Sequence, residues 1–481
     1  VKVTGRVTDE SGKPLVAASI QESGTGNGVY SDEQGNYAIT VKSNASLNVS
    51  YVGFLTQIVP VGDMSRIDIT LKVNQDLSEV VVIGYGTARK KDVTGAINTI
   101  SSKDFGNNSA TTPSQLLAGK ATGVQVVNAS GTPGSGANIV IRGVGSFTSV
   151  SPLYVIDGIQ GDAGLFNAIN PQDIESITIL KDAASTAIYG AAAANGVVLI
   201  TTKRGKSGAP RVTFSSQWGF AKRGKKLDVL NAAQYHELAK DYAAAQSATL
   251  PAKFNSPDID VTRTDWQDAI FRTGMLSNNA VSVNGGTDHI LYNFSAGYIN
   301  QESVVQNYRY RAANFRIGLE ERLGIFRFGQ SLSAQFLKNT GNSADLTAAL
   351  YMPPYFNIYD PSRQGGFTAA TNVLDLSNAG NPLAPVMTKE SVNRNYLLYP
   401  QFFGEIRPFK SLRVRSQIAL SYGGNNTSDY QLPFIDGNDL ATGRSATESH
   451  SSFNWYLLEN YATWNQGFGK HNVEVTVGNS Y

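Results

Sequence analysis

Leu412-Arg413-Val414-Arg415-Ser416-Gln417-Ile418-Ala419-Leu420-Ser421-Tyr422 alternates from end to end. The even positions are Leu, Val, Ser, Ile, Leu and Tyr; the odd positions are Arg, Arg, Gln, Ala and Ser. Successive side chains of a strand point to opposite faces, so this stretch has an apolar side and a polar side. Tyr292–Tyr298 repeats the pattern, with Tyr, Phe, Ala and Tyr on one face and Asn, Ser and Gly on the other, and Phe326–Phe336 repeats it again. Two readings compete. In a water-soluble sheet the apolar face packs into a core; in a membrane barrel it faces lipid and the polar face lines the lumen. The runs cover roughly 10–15 residues, longer than the soluble mode of about 5–6 and suited to a tilted crossing.

The surroundings of these runs favour the barrel. Aromatic residues recur near their ends, at Tyr298, Tyr308, Phe402, Phe403, Tyr422, Trp455 and Trp464, as interfacial girdles require. Glu320–Gly324, Pro408–Lys410 and Gln466–Lys470 read as tight turns, whereas 340–393 and 423–450 read as long polar loops. Short turns at one end and long loops at the other form the outer-membrane arrangement. About nine strands are expected after residue 211, against about 22 in plugged outer-membrane transporters, so further chain is expected to complete the barrel. An open edge in lipid would leave backbone groups unpaired.

Composition agrees. Of 481 residues only 16% are charged, while 10% are aromatic and 47 are Gly. About 25% charge is usual for a soluble chain. A net charge of +2 gives no general attraction to nucleic acid, and the densest basic clusters, Arg89–Lys91 and Lys222–Lys226, read as solvated loops. Cys is absent, which excludes disulfides, Cys-ligated zinc and thiol catalysis. No run of about 20 apolar residues encodes a membrane helix. No signal peptide precedes Val1-Lys2-Val3, which already reads as a strand, so the chain is expected to begin after processing or truncation.

Three further regions precede the alternating runs. Residues 1–73 read as a small β-sandwich of about seven strands, punctuated by Asp9–Pro14, Ser31–Asn36 and Val61–Asp63. In 74–91, polar Asn74–Glu79 leads into Val80-Val81-Val82-Ile83-Gly84-Tyr85-Gly86. Four β-branched residues in succession favour extended backbone. This segment reads either as a buried strand of a neighbouring domain or as an extended peptide that adds to a partner's sheet edge. Residues 92–205 read as an α/β domain: a short helix over Pro113–Gly119 with the Gly as its stop, strands at 123–127, 138–143, 174–180 and 196–202, a helix over Ala183–Ala194, and Leu153–Ile156 ending in an Asp157-Gly158 turn.

Sites for catalysis are lacking. His236, His289, His450 and His471 are scattered without metal spacing. No Gly-x-Ser-x-Gly elbow is evident. Gly131-Thr132-Pro133-Gly134-Ser135-Gly136 lacks the Gly-Lys-Ser/Thr of a phosphate loop and reads as a turn or a substrate-facing loop. Calcium is left open at Asp258 and Asp260, which lack the full loop spacing. No other cofactor is expected, and the chain is read as a non-enzyme.

Specific motifs then accumulate in order. Gly5–Asp9, Pro14–Ile20 and Asp32…Gly35-Asn36-Tyr37 resemble the carboxypeptidase-regulatory-like domain. Val80–Thr87 with Lys90–Ala96, Leu117–Val126, Ile141–Ser146, Pro152–Gly158, Asn170–Ile177, Leu180–Gly190 and Ala194–Lys203 resemble the SusC/RagA-type TonB-dependent transporters of Bacteroidota. The resemblance implies a mainly β fold: a sandwich at 1–73, a TonB-box tether at 74–91, a plug domain at 92–205 and the first strands of a large transmembrane β-barrel at 206–481. It implies that Leu77, Ser78, Glu79, Val80, Val81, Val82, Ile83, Gly84, Tyr85 and Gly86 receive TonB by strand addition on the periplasmic side, coupled through the TonB-ExbB-ExbD complex to the proton gradient. It further implies substrate contact at the plug loop Gly145, Ser146 and Phe147. The barrel would sit in outer-membrane lipid under a SusD-like surface lipoprotein acting as a lid, and the cargo would be oligosaccharides or peptides. A receptor or adhesion barrel without energised transport is the alternative. Lumen residues such as Arg413 and Arg415 would suit anionic groups. Where the family often has a Ser-Arg pair after Tyr-Gly, this chain has Ala191-Ala192, so a plug–barrel charge contact is not expected at that point.

Overall fold

In the computed structural model all residues are described except 43, 52–53, 63, 73–79, 84–85, 90–96, 106–109, 129, 146–149, 343, 372–374, 437–438, 442 and 470. The chain divides into two compact units, Val1–Ile83 with Thr87–Thr94 and Gly84–Gly86 with Gly95–Tyr481.

The first unit contains β1 (Lys2–Asp9), β2 (Ser19–Glu22), β3 (Gly28–Tyr30), β4 (Asn36–Thr40), β5 (Ser46–Ser50), β6 (Gln57–Pro60) and β7 (Ile69–Leu71). They form two sheets, ordered β4-β1-β7 and β3-β2-β5-β6. Alternation is plain in β4, where Tyr37 and Ile39 are buried between exposed Asn36, Ala38 and Thr40. The two inner faces bury Val3, Val7, Ile20, Leu47, Val49 and Leu71 in one core. The Asp9 carboxylate accepts from the backbone N–H groups of Ser11 and Lys13, and Asp32 does the same for Gln34 and Asn36. These carboxylates mimic backbone acceptors, which is why Asp opens both turns. A separate two-stranded sheet pairs β8 (Val80–Ile83) with β9 (Gly86–Arg89).

The second unit begins with β10 (Ile97–Ser101), β11 (Val124–Val127), β12 (Asn138–Ile141), β13 (Leu153–Ile156), β14 (Ile159–Gly161), β15 (Ile174–Leu180) and β16 (Val197–Thr202). Five of these make a sheet ordered β10-β15-β16-β13-β14, in which β13 and β16 run parallel and the other neighbours antiparallel. Ile156, Phe166, Ile174, Ile177, Ile179 and Ile200 fill its core, with Tyr154 stacked on Phe166 at 5.1 Å. The helix expected over Ala183–Ala194 is interrupted. An α-turn at Ala183–Thr186 passes into a 3₁₀ segment, Ala187–Ala193, broken at Gly190 with φ 66° and ψ −156°. That backbone is open to Gly and strained for other residues, so one Gly divides an otherwise Ala-rich helical run.

The rest is a nine-stranded antiparallel meander: β17 (Gly208–Ala221), β18 (Gly274–Gly286), β19 (Ile290–Glu302), β20 (Arg309–Leu323), β21 (Phe326–Thr340), β22 (Lys389–Phe409), β23 (Leu412–Gln431), β26 (Ser445–Phe468) and β27 (His471–Ser480). A small hairpin, β24 (Phe434–Asp436) with β25 (Asp439–Ala441), stands between β23 and β26. The strands exceed the expected length, since β22, β23 and β26 have 21, 20 and 24 residues. Most of 423–450 is therefore strand and not loop. Its polar residues pair across the ladder, as in Ser391 with Asp429 at 2.5 Å and Asn393 with Thr427 at 3.1 Å. Nor is 340–393 merely polar loop. It carries the helices Leu346–Tyr351 and Ala384–Thr388 and packs with the 222–273 connection around Trp266, Ile270, Met352, Phe367, Leu383 and Val386.

Burial on this sheet is inverted relative to a soluble protein. Phe214 and Phe220 are 72% and 79% exposed, whereas Glu405 and Gln417, on the opposite face, are each 3% exposed. The outward face carries Tyr292, Phe294, Phe326 and Phe328 toward the tight turns, and Tyr298, Phe336, Tyr396 and Tyr422 toward the long connections. Phe326 and Phe336 are ten residues apart on β21, about 33 Å along a strand, which a tilt of about 40° reduces to about 25 Å of depth, the height of a barrel's apolar band. Phe403 and Trp455, expected in the girdle, face the other way: Trp455 packs against the five-stranded domain's core. Tyr308 lies in the connection before β20.

Residues 1–72 are expected to fold when isolated. Leu47→Ala, at a fully buried position, is expected to cost about 2–5 kcal/mol. With a urea slope near 1 kcal/mol/M, the unfolding midpoint by circular dichroism should fall by about 2 M or more.

Candidate functional site

The five-stranded domain sits against the polar face of the large sheet, and buried charge gathers at their contact. The β13–β14 hairpin supplies its centre. Asp157 and Gly158 have φ of 52° and 92°, the two left-handed positions of a type I′ turn. The turn presents the Asp157 carboxylate to β16 and β20. Asp157 Oδ1 accepts from the Thr202 backbone N–H at 3.0 Å, and Oδ2 accepts from Thr202 Oγ1 at 2.6 Å and from Arg316 Nη2 at 2.7 Å. Arg316 Nη1 donates to Ser333 Oγ at 2.6 Å, and Arg204 approaches Asp157 at 3.9 Å. The Asp157 and Arg316 side chains are 7% and 8% exposed. Burial alone would raise the Asp157 carboxyl, but Arg316 and Arg204, with the Thr202 hydrogen bonds, hold it below the usual carboxylate range. Asp173 goes the other way: burial raises it, against the opposing influence of Ser295, Arg316 and Lys203.

Further links surround this pair. Gln417 Nε2 donates to the Gly158 carbonyl at 3.4 Å, and Gln335 Nε2 to the Ala168 carbonyl at 3.1 Å. Tyr399, Ala419, Leu397 and Leu457 of the sheet join the domain's core. The backbone at Gly134 lies against the Tyr310 ring, so the Gly131–Gly136 stretch is a turn seated on β20. A small cavity beside Asp157 is lined by Arg204, Arg316, Glu320, Phe403 and Arg415. Arg415, which the sequence offered for anionic ligands, is engaged: it lies 3.7 Å from Glu405 and its guanidinium stands 3.7 Å over the Phe403 ring. Arg413 lies 5.9 Å from the Tyr461 ring and 3.4 Å from Thr463 Oγ1.

Of the TonB-box residues, Leu77, Ser78, Glu79, Gly84 and Tyr85 fall outside the described residues, while Val80–Ile83 forms β8 and Gly86 opens β9. Gly145 is exposed, and Ser146 and Phe147 fall outside the described residues. Asp258 and Asp260 lie in a 3₁₀ turn, where Asp260 contacts His236 Nδ1 at 2.8 Å and Asp258 lies 3.8 Å from Arg263. Among the described residues no three His, Cys, Asp or Glu gather as a metal site. Ala191 and Ala192 are exposed, and the buried ion pair between domain and sheet is made by Asp157 and Arg316. Arg316 was not singled out in the sequence; the alternating row Ala312, Asn314, Arg316, Gly318 is the signal that could have marked it, whereas its partner lies 159 residues earlier.

Residues 89–197 match the TonB-dependent receptor plug domain, and residues 3–83 match the carboxypeptidase-regulatory-like domain. The TonB-dependent receptor SusC of Bacteroides thetaiotaomicron is 34% identical over 97% of this chain and 46% of its own length. The TonB-dependent receptor P3 of Formosa agariphila is 32% identical over 100% of this chain and 48% of its own. Among solved structures, the RagAB peptide importer in its open-open state superposes with a TM-score of 0.72 at 24% identity, covering 84% of this chain and 48% of that one, which establishes a shared fold. The chain spans about half the length of the curated relatives it matches.

Removing one partner of a buried ion pair leaves an uncompensated charge and costs about 3–5 kcal/mol. Arg316→Ala is therefore expected to loosen residues 95–205 from the sheet, read as faster protease cleavage in this domain while the sheet stays resistant. The depressed Asp157 carboxyl stabilises the contact above its unfolded value of about 3.9, and that stabilisation is lost as pH falls through the lower folded value. Protease resistance should thus be flat from pH 8 to pH 5, as far as this group is concerned, and fall in stronger acid.

Proposed function

Because this chain belongs to the SusC/RagA-type TonB-dependent receptors, we propose that it forms the plug and the first nine strands of an energised outer-membrane importer for oligosaccharides or peptides. The observation that carries this reading is the inverted sheet, apolar outward and polar toward the plug. Each large side chain of the outward face would forgo about 1.5–3 kcal/mol of burial in water, a loss that lipid removes. Closing a barrel without an open edge in lipid would take further strands.

In this mechanism the plug fills the lumen and is held by the Asp157–Arg316 pair and its neighbours. TonB, driven by ExbB and ExbD, adds a strand to Leu77–Gly86. Backbone hydrogen bonds supply the grip. Among the described residues β8 pairs with β9 alone, which leaves β8 a second edge for a partner strand. Pulling this tether would move the plug and admit cargo collected under a SusD-like lipoprotein on the long-connection side. The cargo class is inferred from SusC and from RagAB, a peptide importer by its description.

Deletion of Val80–Ile83 in the intact receptor is expected to abolish cellular uptake of the ligand that co-purifies with it, while ligand binding and outer-membrane abundance stay unchanged. Undiminished uptake would instead favour a receptor or adhesion barrel that needs no energised transport.

A further inference from the structure

The outward face of the large sheet carries a row of charge that contact with lipid chains would penalise. Arg311 on β20 lies directly opposite Lys338 on β21, and Lys338 directly opposite Arg394 on β22. Side chains in such positions stand about 4.5–5.5 Å apart at Cβ, and like charges there repel. Among the described residues none of the three has an ion-pair or hydrogen-bond partner in this chain. A carboxylate on the same face, Glu302, is taken by Arg309. The three cations line one shallow cleft with Tyr298, Phe336 and Tyr396.

Depth identifies what the cleft meets. Ala313, Phe336 and Tyr396 stand two positions along each strand from the cations, toward the tight turns. Tyr396 and Tyr422 bring their hydroxyls to 3.5 Å there, forming part of the aromatic row on the long-connection side. Tyrosines whose rings face apolar matter and whose hydroxyls face polar matter mark a membrane interface. The cations therefore stand just beyond the apolar band, at headgroup level. Long connections emerge at the outer surface, so the leaflet is the outer one.

We propose that Arg311, Lys338 and Arg394 bind the phosphate of a phosphorylated lipid headgroup in the outer leaflet. The inference rests on the outer-membrane reading above. Guanidinium groups bind phosphate oxygens in pairs, and the lysine adds a point charge between them. The aromatic residues one row deeper give the acyl chains a surface to lie on, so the cleft takes a phosphate and a chain together. A free anion uses only the first of these.

The test uses the intact receptor extracted from outer membranes in mild detergent, with the bound outer-leaflet phosphoglycolipid quantified by native mass spectrometry. R311Q/K338Q/R394Q is expected to retain less of it by about tenfold or more, and phosphatase-treated glycolipid added back to the delipidated receptor should bind about tenfold more weakly. R309Q, on the same face, should retain it normally. Heat-modifiable gel mobility confirms that each variant is folded. Equal retention by the triple variant overturns the proposal, as does equal binding of the dephosphorylated lipid, and inorganic phosphate binding as tightly as the lipid would make this a free-anion site. Absence of the receptor from the outer membrane would instead sink the membrane reading, and loss of lipid with uptake intact would leave the import reading standing.

Discussion

Everything in the second unit depends on one requirement: a sheet that turns its apolar face outward must find something other than water for its polar face. The nine strands pair along one antiparallel ladder, with register irregularities in β17–β18 and β22–β23, and such pairing is the condition for strands in lipid. The ladder leaves Asn293, Asn314, Arg316, Glu405, Gln417 and Glu459 pointing inward and buried. Such groups cost several kcal/mol each unless they are hydrogen-bonded. The five-stranded domain answers part of that need with the Asp157 carboxylate and the carbonyls of Gly158 and Ala168. A further part is met within the sheet, by Glu405 among Arg327, Arg407 and Arg415, and by Gln417 with Glu459 at 2.5 Å.

What the sequence made legible follows the same division. Period-2 alternation in Leu412–Tyr422 and Phe326–Phe336 reports which side chains share a face, because that pattern is local. Asp9, Asp32 and the Asp157-Gly158 pair reported their turns for the same reason. Features that depend on distant partners stayed hidden. Strand length was underestimated because alternation fades where both faces meet water, as at Asn425–Gln431, and only pairing with Ser445–Ser451 reveals the strand. The core around Trp266 and Met352 joins two connections that are separated by four strands. Arg415 looked available because its partners Glu405 and Phe403 lie on another strand.

The plug contact also explains why a buried charge pair is tolerated in a region that gains little stability from it. A buried ion pair is rarely more stable than an apolar replacement of the same volume. Under the proposed mechanism its usefulness would lie in what happens if the surfaces separate. Asp157, Arg316, Gln335 and Gln417 are all groups that water solvates well, and a hydrogen bond exchanged for one with water changes free energy by only about 0.5–1.5 kcal/mol. An apolar contact of equal area would lose about 25 cal/mol for every Å² exposed, with no compensation from solvent.

On the proposed import mechanism, a plug that leaves its seat and returns would favour a polar seam over an apolar one, and the residues are placed accordingly. The fully buried large side chains of the five-stranded domain, Ile156, Phe166, Ile174, Ile177, Ile179 and Ile200, lie within that domain and hold it together. Toward the sheet, Tyr399, Ala419 and a few partly buried neighbours are the apolar contribution, and the directed contacts are charged or amide. The domain's own cohesion is thus largely apolar and its attachment is largely polar. Were the tether pulled as proposed, the seam that water can replace would yield before the core that water cannot, and the domain could move without first coming apart.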